Sequence, residues 1–229
     1  MTLRECDIHN HLLPGLDDGF RREADSLQAI QRMSSAGCRE FVFTPHINPD
    51  VSPLVGERQC RDVYKWFTGL IPAEWNVKTH LAAEYMVVPG FENRVASQAD
   101  TLNTFEDGSI LIEMSYYFRS KNLEQTIFEL NMAGLKPILA HPERYLYMSE
   151  TLSDFDRIVQ MGCRLQMNFM SLAGTYGPQS VRILDYLVRH NMYSFIATDL
   201  HTLPQLDKIL NFKPGFLLRH KLGKLSLQK

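Results

Sequence analysis

The chain has 229 residues, of which 45% are hydrophobic and 22% charged, with a formal net charge of −2. Such a composition suits a globular protein with a substantial core, and one domain over 1–229 is expected because α/β barrels reach this size undivided. The near-neutral balance argues against nucleic acid as a partner; no apolar run of about 18 residues predicts a membrane span, and no secretory signal pattern stands at the start.

The first predicted strand, 6–11, reads CDIHNH and runs into LLPGLDDG. A helix follows over 22–37, where Leu27, Ile30 and Met33 recur at spacings of three and Gly37 offers a left-handed cap. The second strand, 40–46, is EFVFTPH; a loop through Pro49 and Pro53 then leads to a helix around 58–70. KTHLAAEY at 78–85 and SILIEMS at 109–115 are the third and fourth strands. A helix over 122–135 leads to KPILAHP at 136–142, a helix over 152–162 to RLQMNF at 164–169, and a helix over 178–191, with Pro178 in its first turn, to YSFIATD at 193–199. Lys213, Arg219, Lys221, Lys224 and Lys229 make a basic tail from about 207. It reads as a solvated end, with peripheral contact to a membrane surface or an acidic partner as the alternative.

Strand alternating with helix implies parallel pairing through right-handed crossovers, in a closed barrel or an open doubly wound sheet. Either way, functional residues collect at the carboxyl ends of the strands. The sequence places His9 and His11, His46, Glu84, Glu113, His141-Pro142-Glu143-Arg144, Gln166 with Asn168, and Asp199 with His201 at those ends. On a strand, residues two apart share a face, so His9 and His11 can grip one ion. Packing so many carboxylates and imidazoles at one pole without cations leaves like charges close and desolvated. The four cysteines, Cys6, Cys38, Cys60 and Cys163, form no CxxC pair, which fits a reduced cytoplasmic setting and puts no thiolate among the ligands. Imidazole plus carboxylate suits Mn, Fe or Zn in open coordination. His9, His11, Asp18, His46, Glu84, Glu113, His141, Asp199 and His201 are too many ligands for one ion, so two or three ions are expected.

DIHNHLLPGLDDG, TPH (44–46), AEY (83–85), LIEMSY (111–116), AHPERY (140–145) and ATDLH (197–201) resemble the PHP (polymerase and histidinol phosphatase) superfamily, from Asp7 to about His201. Within it the motifs look like the manganese-dependent bacterial tyrosine-protein phosphatases of the CpsB and YwqE type, associated with capsule or exopolysaccharide loci. The resemblance implies a distorted (β/α)7 barrel, Mn2+ as the cofactor, and a phosphotyrosine protein, a bacterial tyrosine kinase, as the partner. It implies a first ion on His9, His11, Glu84 and Asp199, a second on Glu84, Glu113 and His141, and a third on Asp18, His46 and His201. Asp18 is favoured over Asp17 because the family's ligand in this loop directly precedes the glycine, here Gly19. Arg144 matches the family's phosphate-binding arginine, but the run from His201 to Asp207 lacks a second arginine that relatives often carry.

The implied chemistry is metal-assisted attack of water on a phosphoryl group braced by Arg144, with charge met on the equatorial oxygens. A tyrosyl leaving group, with a pKa of about 10, departs with little proton assistance; an alcohol leaving group would need a general acid, for which His46, His201 and a metal-bound water are the candidates. Tyr85, Tyr116, Tyr117, Phe118, Tyr145 and Tyr147 either stack on a phosphotyrosine ring or pack the barrel rim. His80 and His190 lie away from the ligand pole and read as structural. Three rival readings stand beside this one: a histidinol-phosphate or sugar-phosphate hydrolase, a non-catalytic metal-stabilised binding module, and a metal-assisted amidohydrolase.

Overall fold

Short runs of Val, Ile, Leu and Phe, each separated from the next by a helix, pair side by side in one direction, because the chain must cross back over the sheet each time. The computed structural model describes residues 5–49 and 52–213. Its strands are β1 (Cys6–Asp7), β2 (Glu40–Phe43), β3 (His46–Ile47), β4 (Lys78–Leu81), β5 (Glu84–Met86), β6 (Ser109–Glu113), β7 (Lys136–Ala140), β8 (Arg164–Asn168) and β9 (Tyr193–Ala197). They form two all-parallel sheets, ordered β1-β2-β4 and β3-β5-β6-β7-β8-β9. The fold is therefore α/β with parallel sheets. The helices are α1 (Glu23–Ser35), α2 (Glu57–Thr68), α3 (Phe91–Gln98), α4 (Leu123–Met132), α5 (Asp154–Gln160), α6 (Gly177–Arg189) and α7 (Leu203–Asn211).

Three predicted strands are shorter than the apolar pattern suggests. The 40–46 run breaks into β2 and β3 around Pro45, which has no N–H to give to a ladder. The 78–85 run breaks into β4 and β5 at the buried pair Ala82-Ala83, so Glu84 opens a strand rather than closing one. Backbone bonds bridge both breaks: Ala82 N–H donates to Phe43 O at 2.9 Å and Glu84 N–H to Pro45 O at 3.1 Å. The 6–11 run is a strand only at Cys6–Asp7. Residues 9–11 are nevertheless extended between two neighbours, with His11 N–H on Leu200 O, Asp199 N–H on His9 O and Thr44 N–H on Asn10 O.

Two helices, α3 and α7, escape the sequence pattern. Each buries only two side chains against the core, Phe91 with Val95 and Leu206 with Ile209, too few for a helical period to stand out. A local signal for α7 does exist: Thr202 accepts from Gln205 N–H as an N-cap, with Pro204 in the first turn. The predicted left-handed cap holds at Gly37, whose φ is +110°. Of the basic tail, Lys213 alone lies among the described residues.

Two apolar clusters hold the helices to the strands. Ile110, Ile112, Leu139, Leu165 and Met167 pack against Leu123, Ile127 and Leu130 of α4 and Ile183 and Leu187 of α6. Phe41 and Phe43 of β2 pack with Ile30 and Met33 of α1, Phe67 of α2 and Leu206 of α7. The opposite face of the larger sheet buries Leu111, Ile138 and Ala140. Burial on both faces explains why these strands are continuous apolar runs rather than alternating ones. Among the described residues no helix is long and apolar enough to cross a membrane. Replacing Ile112, fully buried one residue before Glu113, by Ala should cost about 2–5 kcal/mol, read as a lower urea midpoint at unchanged slope.

Candidate metal centre

Because the strands are parallel, their carboxyl ends open on one side, and the polar residues that follow them meet there. Four overlapping groups of potential ligands result: His11, Asp18, His46 and His201; His9, His11 and Glu84; His9, His141 and Asp199; and His46, Glu84 and Glu113. Within each group one ligand atom per residue lies within 4.8 Å of the others. The groups contain all nine candidates named from the sequence. Their partition differs in detail from that implied by the resemblance: Glu113 faces His46, at 2.9 Å, and His141 joins His9 and Asp199 while also touching Glu84 at 3.0 Å. Register fixes part of this, since β3 and β5 pair His46 with Glu84, and β5 and β6 pair Met86 with Glu113.

Buried acceptors set the tautomer of three histidines and turn their other nitrogens inward. His9 Nδ1 is 2.8 Å from Gln166 Oε1, His11 Nδ1 2.8 Å from Asp17 Oδ2, and His201 Nδ1 2.9 Å from Asp199 O. In each case Nδ1–H donates, so Nε2 carries the lone pair that a metal needs. His9 Nε2 and His11 Nε2 face one another at 3.2 Å. Glu84 Oε2, His46 Nδ1 and His141 Nδ1 are buried with no hydrogen bond; His46 Nδ1 lies 2.9 Å from Glu113 Oε1 but is too poorly aligned to make one. Orphaned lone pairs among buried acids and imidazoles are what divalent cations satisfy, so the donor set fits metal ions.

The electrostatics agree. Burial disfavours charge on His46, but Glu113 and Glu84 outweigh it and raise the ring to about 9. Burial likewise opposes ionisation of Glu84 and Asp199, yet the surrounding histidines, His9 foremost, hold both carboxyls well below their usual range. Burial pushes the thiols of Cys6, Cys60 and Cys163 up to about 12, so none of these is a nucleophile at neutral pH.

The two aspartates of the DDG loop have separate roles. Asp17 is the buried one, accepting from His11 Nδ1–H, His46 N–H and Gly19 N–H. Asp18 is half exposed, with Oδ1 3.4 Å from His46 Nε2 and 3.5 Å from His201 Nε2. Gly19 packs on His11 so closely that a Cβ there would sit 2.4 Å from His11 O and 2.5 Å from its Cβ. His141 and Asp199 both adopt positive φ, +32° and +50°, a strain of about 1–3 kcal/mol each that the surrounding packing must offset. Gln205 braces the last loop, accepting from His201 N–H and donating to Asp199 O.

A cavity of about 190 Å³ opens over the cluster, lined by Asp18, His46, Glu113, Tyr116, Tyr117, Arg144 and His201 among others. Arg144 donates from NH1 to Asp199 Oδ2 at 2.7 Å, and its Cζ sits over the rings of Tyr116 and Tyr176. The aromatic set named from the sequence divides. Tyr85 and Tyr145 are fully buried and spend their hydroxyls on Asn103 N–H and on Met114 N–H and Ala140 O, so they are packing residues, not mouth residues. Tyr147 donates to Ser115 O. Tyr116, Tyr117 and Phe118 stay exposed, and the first two line the cavity. His80 pairs with Glu40 and Glu106, and His190 with Tyr186 O, both away from the cluster. The sequence offered Asp17 only as the alternative ligand to Asp18, not as an orienting residue, and gave no role to Gln205 or Tyr176; only the capping pattern at Thr202 hinted at Gln205.

A family model for capsular polysaccharide synthesis, CpsB/CapC, matches residues 5–211. Tyrosine-protein phosphatase YwqE of Bacillus subtilis (strain 168) is 30% identical over 206 residues, covering 86% of this chain and 77% of YwqE. Tyrosine-protein phosphatase CpsB of Streptococcus pneumoniae is 24% identical over 208 residues, covering 86% of this chain and 83% of CpsB. A crystal structure described among those of B. subtilis YwqE and S. pneumoniae CpsB, "unique metal-dependent tyrosine phosphatases", superposes with a TM-score of 0.77 at 25% identity, covering 97% of this chain and 95% of that one. Histidinol phosphate phosphatase from Lactococcus lactis shares the fold, with a TM-score of 0.55 at 14% identity over 97% of this chain and 92% of that one.

Replacing Asp17 by Asn should weaken divalent-metal binding about 10–100-fold in calorimetric titration, because His11 loses the charge that orients it. Replacing Gly19 by Ala should displace His11 and lower metal stoichiometry measured by mass spectrometry, since the clash is with backbone and cannot relax by a rotamer change.

Proposed function

The chain belongs to the CpsB/CapC family of capsular polysaccharide synthesis, and on that premise we propose that it is a metal-dependent phosphomonoesterase that dephosphorylates phosphotyrosine. The substrate is a protein, a bacterial tyrosine kinase controlling capsule or exopolysaccharide synthesis, met in the cytoplasm. The observation that carries this reading is the convergence of His9, His11, Asp18, His46, Glu84, Glu113, His141, Asp199 and His201 beneath a cavity with Arg144 on its wall. We assign these nine residues as ligands of two or three ions and Mn2+ as the resident metal. We also read the fold as a distorted (β/α)7 barrel, closed where residues 9–11 bond to Leu200 and Thr44; those bonds support that closure.

Divalent ions held there supply Lewis acidity and a nucleophile at neutral pH. The chain's own contribution is positioning and charge. Arg144 keeps one N–H on Asp199 and offers the rest of its planar fork to phosphate oxygens, which a point charge would orient less well. His201 lies at the cavity with Nε2 toward Asp18, and His46 lines the same cavity; an imidazole nitrogen that binds an ion cannot also carry a proton, so either serves as general acid only where it is not a ligand. For a tyrosyl oxygen that help is minor, because a phenolate with a conjugate-acid pKa of about 10 leaves readily. Tyr116 and Tyr117 line the space beside the phosphate position and give an aromatic leaving group a surface to lie on.

Turnover of a phosphotyrosine peptide with Mn2+ should be rapid in wild type and fall to background with chelator. His141→Ala should show that background even with excess Mn2+; equal rates in the two proteins would exclude the mechanism. Arg144→Lys should retain metal but lose about a hundredfold in kcat/KM. Under the same conditions histidinol phosphate should be a poor substrate, which separates this reading from that of a small-molecule phosphatase.

A further inference from the structure

We propose that Tyr116 and Tyr176 form an aromatic collar that holds the Arg144 guanidinium in its phosphate-receiving orientation, an inference that rests on the phosphomonoesterase reading. The two rings come from segments far apart in the chain, Tyr116 just beyond β6 and Tyr176 at the start of α6. Arg144 Cζ lies 4.2 Å from the centroid of the first ring and 4.7 Å from that of the second. Contact with an aromatic face holds a cation without consuming its N–H groups. Carboxylate partners would occupy those donors, and among the described residues Asp199 alone does so, at 2.7 Å from NH1. The guanidinium has five donors in a fixed plane, so most of the fork stays available at the cavity wall.

One buried amide ties the collar to the metal cluster. Asn168 Nδ2 donates to Asp199 Oδ2 at 2.7 Å and to Tyr176 Oη at 3.2 Å, while its Oδ1 accepts from Met170 N–H at 2.8 Å. The carboxylate that fixes NH1 and one of the rings that cover the cation are thus held by the same side chain. An arginine ordered in advance does not have to be frozen by the arriving phosphate, so the collar acts on affinity for the phosphoryl group. Tyr116 Oη also approaches His141 Nε2, at 3.5 Å. Tyr176 has no hydrogen bond to any of the nine metal-cluster residues among the described residues, and it is the positioning residue to test.

The Mn2+-loaded full chain is assayed for phosphotyrosine-peptide turnover and, independently, for calorimetric binding of inorganic phosphate. Tyr176→Leu should raise KM and the phosphate Kd together by about tenfold, with kcat and bound Mn2+ little changed. Tyr176→Phe keeps the ring face and should recover most of that loss. In an Arg144→Lys background the leucine substitution should add little, because the group it positions is gone. Unchanged phosphate affinity in Tyr176→Leu, an equal loss in Tyr176→Phe, or additive losses in the double variant would overturn the collar. If the leucine variant does not fold, Tyr176→Phe and Tyr176→Trp decide, since a tenfold loss in both ring-bearing variants would also overturn it. A wild-type protein that binds phosphate but leaves phosphotyrosine intact would end the substrate reading and leave the collar open to test by phosphate binding.

Discussion

The buried carboxylate of Glu84 is the point around which the site is built. It lies 3.2 Å from His9 Nε2, 3.4 Å from His11 Nε2, 3.1 Å from His46 Nδ1 and 3.0 Å from His141 Nε2, with no exposed surface of its own. An ionised carboxylate taken out of water alone costs several kcal/mol, so this position exists only because opposite charge surrounds it. Imidazoles from three segments, His9 with His11, His46 and His141, surround it, and His9 foremost holds the carboxyl in its ionised form. With cations present, the same nitrogens change from donors to ligands, so assembling this pole and binding metal are one electrostatic problem.

Precision comes from what stands behind the ligands. Asp17, Gln166 and the carbonyl of Asp199 each take one ring N–H and thereby aim the opposite nitrogen inward. Gly19 lets the DDG loop fold onto His11, and the left-handed backbone at His141 and Asp199 turns those side chains over the strand ends. These contacts cost local strain and buried polar surface, which the two apolar clusters beneath the helices offset. The same framework carries Arg144, which donates to Asp199, a member of one of the groups that could hold a metal ion.

A parallel α/β architecture decides where a site lies, not what it does, and hydrolases of several kinds use this one. What favours a phosphate ester over an amide here is the arginine that lines the cavity beside the cluster. What favours a protein phosphotyrosine is an open mouth with Tyr116 and Tyr117 on its wall, rather than a closed pocket sized to one metabolite. Cysteine chemistry has no place, because the thiols whose shift is large are held protonated by burial and none lies in the cluster.

By itself the sequence determined the alternation of strand and helix, the parallel arrangement that follows from it, and the identity of the nine residues that meet. Those features are local: short apolar runs, helical spacings, and His, Asp or Glu immediately after a run, as in HPERY or TDLH. The breaks at Pro45 and Ala82-Ala83 were half legible, proline being a known interruption and alanine a silent one. Tertiary structure alone decided that Asp17 orients while Asp18 faces the cavity, that Glu113 pairs with His46, that Tyr85 and Tyr145 are buried, and that Tyr176 reaches Arg144. The physical reason is distance along the chain. Adjacent aspartates are chemically identical until folding brings the His11 ring and, from farther along the chain, the backbone N–H of His46 onto one of them.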